Sequence, residues 1–202
     1  YSIPWSLHAV RRNRELVARA LGYPLPEHLD YGIAAPGATA EALALRMPAG
    51  FSEHRYAVLL HATSAAVKEW PVRNWMALGR RLAQAGVRSV LPHGSEAERL
   101  RSEQLAEAIP GALVAPRLGL DLLAALLSGA VVVAGVDTGL SHLAVALGRP
   151  TIGIYCATDP AATGLYGVGM GNSGPVANLG GVGRAPDVDA AWAAIRASGS
   201  GI

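Results

Sequence analysis

A chain of 202 residues that is 51% hydrophobic and 16% charged is long enough to bury one good core and too apolar to be disordered. Its 17 basic and 15 acidic residues leave a formal charge of +2, a balance that argues against general nucleic-acid binding. The single cysteine, Cys156, excludes an internal disulfide framework and suits a reducing compartment, and no apolar run approaches the roughly 20 residues of a transmembrane helix.

The opening YSIPWSLHAVRRNR has no initiator Met, and its arginines follow the apolar part instead of preceding it, unlike a secretory signal. We therefore read the chain as the later part of a longer polypeptide. Residues 8–21 read as a helix with Val10, Val17 and Leu21 on one side. Its arginines, Arg11, Arg12, Arg14 and Arg19, suit either an anionic ligand or membrane leaflet, or a solvated face. Residues 22–50 carry four prolines and no sustained period, as a connector does.

A βα alternation begins at residue 56. YAVLL (56–60) is a buried-strand candidate. The helix after it has Pro71 in its first turn, Gly86 at its end, and Trp75, Leu78, Leu82 and Ala85 on one face. Strand 87–91, a helix from Glu96, strand 112–115, helix 121–128, strand 131–135, helix 140–147 and strand 151–155 follow, and a helix over 187–198 closes the chain. Such alternation predicts an α/β, Rossmann-like, doubly wound parallel sheet.

Ligands of such sheets sit beyond the carboxyl ends of the strands, where strand order reverses. GVDTGLSHL (135–143) lies at such an end and opens a helix whose buried stripe is read as Leu140, Leu143, Ala144 and Leu147. Ser141 and His142 then point elsewhere, and helix-start amides beside Gly139 suit a pyrophosphate. The alternative is that Asp137 or Thr138 caps the helix and His142 is an ordinary surface residue. HATSAAVKEWP (61–71) follows the first strand in the same way. Thr63 and Ser64 there offer hydroxyls, and Lys68 a charge. Lys68 is the one lysine beside sixteen arginines, present either by chance or because a compact ammonium is required.

Other patterns fail. GMGNSG (169–174) fits G-x-G-x-x-G without following a strand or opening a helix, and DVD (187–189) suits a helix N-terminus better than a metal. Walker A, G-x-S-x-G and zinc-spaced Cys/His patterns are absent from the sequence.

Taken together, HAVRRNRELVARALGY, HATSAAVKEWPVRNW and the VDTGLSHLAVAL…P…IYCATDP block resemble the ADP-heptose:lipopolysaccharide heptosyltransferases of glycosyltransferase family 9 over residues 8–165. The DTGLSH block is the most specific part and favours the heptosyltransferase I branch over the heptosyltransferase II branch. The resemblance implies a GT-B architecture, with residues 1–50 ending an N-terminal domain and connector, and 51–202 forming a C-terminal Rossmann-like domain for the nucleotide sugar. It implies inverting transfer of L-glycero-D-manno-heptose from ADP-heptose to Kdo of the lipopolysaccharide inner core, with no metal or other cofactor. Peripheral attachment to the cytoplasmic face of a Gram-negative inner membrane is part of the same implication.

Carried over residue by residue, Thr63 and Ser64 match the family's hydroxyl pair, and Lys68 its phosphate-facing lysine, which stabilises the leaving group. Glu98 matches a ribose-binding acid, and Asp137, Thr138, Gly139 and His142 match the donor loop. Leu118 stands where Met is frequent beside the adenine. Ser64 replaces a frequent Thr, and Cys156 a frequent Gly. The family's catalytic base, an Asp of the N-terminal domain, is outside this chain, so its expected partners are ADP-heptose, Kdo-lipid A and its own N-terminal domain. A GT-B-like sugar-nucleotide epimerase and a non-catalytic nucleotide-binding module are the alternative readings.

Overall fold

The computed structural model describes residues 1–34, 38–167 and 175–202. Six strands form one sheet: β1 (Tyr56–Leu60), β2 (Arg88–Leu91), β3 (Leu113–Val114), β4 (Val132–Val136), β5 (Thr151–Tyr155) and β6 (Val176–Gly180). Their spatial order is β3-β2-β1-β4-β5-β6 and every pairing is parallel. This is the doubly wound Rossmann order, and the α/β expectation holds.

Side chains alternate across the sheet, so each strand feeds two cores. Ala57 and Leu59 join Trp75, Leu78 and Leu82 of α3 (Val72–Gln84), Leu105 of α4 (Glu96–Ala108) and Ile195 of α8 (Val188–Ala197) on one face. Tyr56, Val58 and Leu60 meet Leu126 of α5 (Leu120–Gly129) and Ala144 of α6 (Gly139–Ala146) on the other. Burial on both faces explains why the strands read as apolar runs without alternation. Most predicted boundaries shift by only one or two residues. Ala85, placed on the buried face of its helix, is instead the exposed C-cap of α3.

Other expectations need correction as well. The segment 22–50 is not wholly irregular: α2 (Ala38–Arg46) lies within it, packs on α5, and sends Leu43 into the second core with Met47 and Phe51. Nine residues with Leu45 87% exposed show no clear period, which is why the helix was not legible. In α1 (Ala9–Leu21) the face carrying Val17 and Leu21 is exposed, and Ala18 is the buried contact. Finally, β6 and α7 (Pro160–Thr163) were not anticipated. β6 is an edge strand whose burial fades along its length, so its apolar signal is short. GMGNSG (169–174) lies outside the described residues.

The stripe of α6 also differs. Ser141 is 1% exposed, and its hydroxyl donates to the Val136 carbonyl at 2.9 Å, which satisfies the buried oxygen. Gly135 of β4 makes the room: a Cβ there would sit on Ser141 Oγ and 3.0 Å from Leu60 Cβ. Gly135→Ala should therefore destabilise the fold by about 1–3 kcal/mol in denaturant titrations, and adding Ser141→Ala should recover part of that loss.

Candidate functional site

β1 and β4 are adjacent, with Leu60 opposite Gly135, yet their helices leave in opposite directions around the sheet. This is the switch point, and both predicted motifs emerge there. A cleft of about 380 Å³ opens beyond the two strand ends. Thr63 and Ser64 line it from the β1 side, Thr138 from the β4 side, Glu98 and Leu118 from the flank. Leu60, Leu123 and Leu140 make its apolar wall with Leu118, which is 9% exposed. This shape suits a flat apolar-faced ring flanked by polar groups.

Beside the cleft the residues meet in a single cluster. Lys68 Nζ donates to Asp137 Oδ2 at 2.7 Å, and the Thr158 hydroxyl donates to the same oxygen at 2.9 Å. Thr63 Oγ1 donates to the Asp137 carbonyl at 3.2 Å. The Asp137 side chain is 13% exposed and that of Lys68 30%. Lys68 is thus a paired, partly exposed cation and not a freely solvated one. Neither capping alternative holds, because the Asp137 carboxylate is engaged by Lys68 and Thr158, and Thr138 occupies the N-cap position of α6 without a side-chain cap bond. The first amides of α6 therefore lack a side-chain acceptor there, and Gly139 has nothing within 4 Å of its Cβ position.

The turn that presents Lys68 is anchored on both sides. Glu69 pairs with Arg101 of α4, Arg101 also donates to the Trp70 carbonyl at 3.2 Å, and the fully buried Trp70 indole donates to Pro186 O at 2.8 Å. Such anchoring holds the backbone from which the Lys68 side chain extends before any ligand arrives.

Two expected site residues stand apart from this picture. Glu98 lines the cleft, but its Oε2 accepts the Gly94 and Ser95 amides at 2.6 and 3.3 Å while Ser95 Oγ accepts the Glu98 amide, a reciprocal capping box. Only Oε1 remains without a hydrogen bond among the described residues. His142 is half-buried, does not line the cleft, and lies within electrostatic range of His8 at the N-cap of α1. Burial lowers its pKa while Asp137 opposes the shift. His8 is its neighbour there, accepting the Val10 amide at the start of α1, stacking on Tyr166 at 4.6 Å and bonding Gly164 O at 3.0 Å.

Thr158 is the residue that the sequence reading missed. The signal was present, since it lies three positions past the end of β5, where strand-end loops gather. The arginines of α1 have local partners: Arg11 and Arg19 bond Glu15, Arg12 lies 4.2 Å over Trp5, and Arg14 donates to Pro26 and His28 carbonyls. Among the described residues no group of three or more His, Cys, Asp or Glu side chains is arranged around a metal position.

The sequence profile described as Glycosyltransferase family 9 (heptosyltransferase) matches residues 1–177. The chain belongs to glycosyltransferase family 9. Among curated relatives in the family, Lipopolysaccharide heptosyltransferase 1 of Pseudomonas aeruginosa is 42% identical over 181 residues, 88% of this chain and 48% of that protein. The Escherichia coli protein of the same name is 44% identical over 161 residues, 79% and 48% respectively. The chain thus spans about half the length of these family members. Among solved structures, the E. coli heptosyltransferase WaaC with ADP superposes with a TM-score of 0.79 at 36% identity, covering 97% of this chain and 58% of that one.

One pH dependence follows from the cleft wall of this family 9 chain. His61 is 0% exposed, and its Nε2 shares a 2.8 Å hydrogen bond with Ser102 Oγ. Burial, with Arg101 nearby, lowers its pKa to about 4. The unfolded chain therefore binds this proton at higher pH than the folded one, so His61 costs stability as pH falls from about 6.5 towards about 4. We expect a loss approaching about 3 kcal/mol over that window from this group. Thermal melts of His61→Gln should show a shallower decline between pH 6.5 and 5, where few carboxylates titrate.

Proposed function

We propose that this chain is the donor-binding part of an inverting heptosyltransferase that moves L-glycero-D-manno-heptose from ADP-heptose to a Kdo residue of the lipopolysaccharide inner core. The observation that carries the reading is the cluster at the β1/β4 switch point, where an anchored ammonium, uncapped helix amides and an apolar cleft adjoin one another. The WaaC structure, solved with ADP, supports it at 36% identity.

In this reading the adenine lies against Leu118 and the other leucines, the ribose reaches Glu98, and the diphosphate meets the α6 amides, Lys68 and the hydroxyls of Thr63 and Ser64. Lys68 gives one N–H to Asp137, which leaves two for phosphate oxygens. As the acceptor hydroxyl attacks the anomeric carbon from the opposite face, the bond to the diphosphate oxygen breaks and its electron pair leaves with ADP. The growing negative charge meets donors that are already in place, so stabilisation needs no reorganisation and no metal. A base on an N-terminal domain takes the acceptor proton. His142, whose pKa burial lowers, suits the sugar end of the donor. The division near residue 50, and peripheral contact with the inner membrane, belong to the same proposal.

Calorimetry with ADP, UDP and NAD tests it. The chain should bind ADP over UDP and NAD, and should transfer no heptose by itself. UDP preference would favour an epimerase, and no preference a general nucleotide module. Lys68→Ala should weaken ADP binding by about 2–4 kcal/mol, because the loss also leaves the Asp137 carboxylate facing phosphate. Lys68→Arg should recover part of this, since its planar head is wider. Equal ADP affinity in wild type and Lys68→Ala would remove the phosphate role.

A further inference from the structure

Asp137 holds two donors on one oxygen and comes at them from the middle of three strand ends. Lys68 follows β1, Asp137 follows β4, and Thr158 follows β5, each strand being the sheet neighbour of the next. A carboxylate two rotatable bonds from its backbone can swing, and a lysine with four methylenes swings further. The Lys68 pair alone therefore fixes neither partner. Thr158 supplies what is missing. It is β-branched, with restricted side-chain rotation. Its backbone leads directly into Asp159, whose carboxylate caps α7 by accepting the Ala161 amide at 2.9 Å. Beyond α7, the Leu165 amide donates to the Tyr155 hydroxyl and to the Asn178 side chain, both at 2.9 Å. The segment carrying Thr158 is therefore tied back onto β5 and β6.

We propose that Thr158 is a positioning residue: its hydroxyl pins Asp137 Oδ2 so that the carboxylate holds the Lys68 ammonium towards the phosphate-binding region. The role rests on the donor-binding reading above and adds a residue that touches no phosphate itself. Without the Thr158 hydroxyl, the Asp137 carboxylate turns freely, and Lys68 follows it through a wider range of positions. Thr158→Val keeps the shape and branching and removes only the donor, whereas Thr158→Ser keeps the donor and loses a methyl group.

Lys68 is the single lysine of the chain, so lysine-selective carbon-13 labelling gives one set of side-chain signals to follow. In the ligand-free chain, Thr158→Val should increase the mobility of the Lys68 ε-methylene measured by NMR relaxation, and Thr158→Ser should leave it near the wild-type value. ADP affinity should fall about tenfold in Thr158→Val and stay within about threefold in Thr158→Ser. In a Lys68→Ala background, Thr158→Val should cost less than twofold, because the residue it positions is gone. Unchanged Lys68 mobility in Thr158→Val, or losses that multiply in the double variant, would overturn the positioning role. A mobility change in Thr158→Val together with no ADP binding by the wild-type chain would overturn the donor-binding reading instead, and leave the Thr158–Asp137–Lys68 linkage standing.

Discussion

The pairing of β1 with β4 is the constraint on which the rest of the molecule depends. Thr63 and Asp137 are 74 positions apart in the chain, and only the parallel register of these two strands brings their ends together. Because the β1 helix crosses to one side and the β4 helix to the other, no crossover covers the gap between them. The cleft is thus a consequence of strand order before it is a consequence of any side chain. The register also sets its depth. With Leu60 level with Gly135, the polar residues of both loops emerge at the same height, and those of β5 join them one strand over.

What lies in that gap is an ion pair that is neither exposed nor dry. A pair at a fully wet surface contributes little, and a fully buried one costs much of what it returns in desolvation. The Lys68–Asp137 pair, at 30% and 13% side-chain exposure, sits between those limits. The Thr158 hydroxyl satisfies more of the carboxylate, and two ammonium N–H groups stay available. The backbone that carries the lysine is held separately. The Glu69–Arg101 pair and the buried Trp70 hold the lysine's turn from behind, through contacts that belong to the core and not to the site.

Much of this was legible in the sequence, for reasons specific to each element. The strands β1, β4 and β5 are buried on both faces, so they stand out as unbroken apolar runs between polar loops. Trp75, Leu78 and Leu82 mark α3 because that helix buries one face over more than three turns. The elements that escaped notice are those whose stabilising partner is remote. α2 has little period of its own and is held by α5, and β6 is an edge strand completed by Asn178 bonding both polar groups of Leu165. At the site, residue types and strand-end positions were enough to select Thr63, Ser64, Lys68, Asp137 and Thr138. They were silent on which side chains bind one another. Asp137 as the partner of Lys68, Glu98 as half of a capping box, and Ser141 as a buried residue beneath the helix all depend on distances that no linear pattern encodes.

The capping box has a further consequence for what the cleft can admit. Glu98 is held by two backbone amides at the head of α4, so its charge is fixed in place as part of the wall. A carboxylate that cannot withdraw repels any second anion brought beside it. Two like unit charges about 4 Å apart repel each other by about 1 kcal/mol in bulk water and about 4 kcal/mol near a protein surface. A ligand group that brings hydroxyls beside Glu98 gains an acceptor, whereas one that brings a phosphate there meets an electrostatic barrier. In the donor-binding reading proposed above, the same helix cap would act as a filter against ribose-phosphorylated nucleotides.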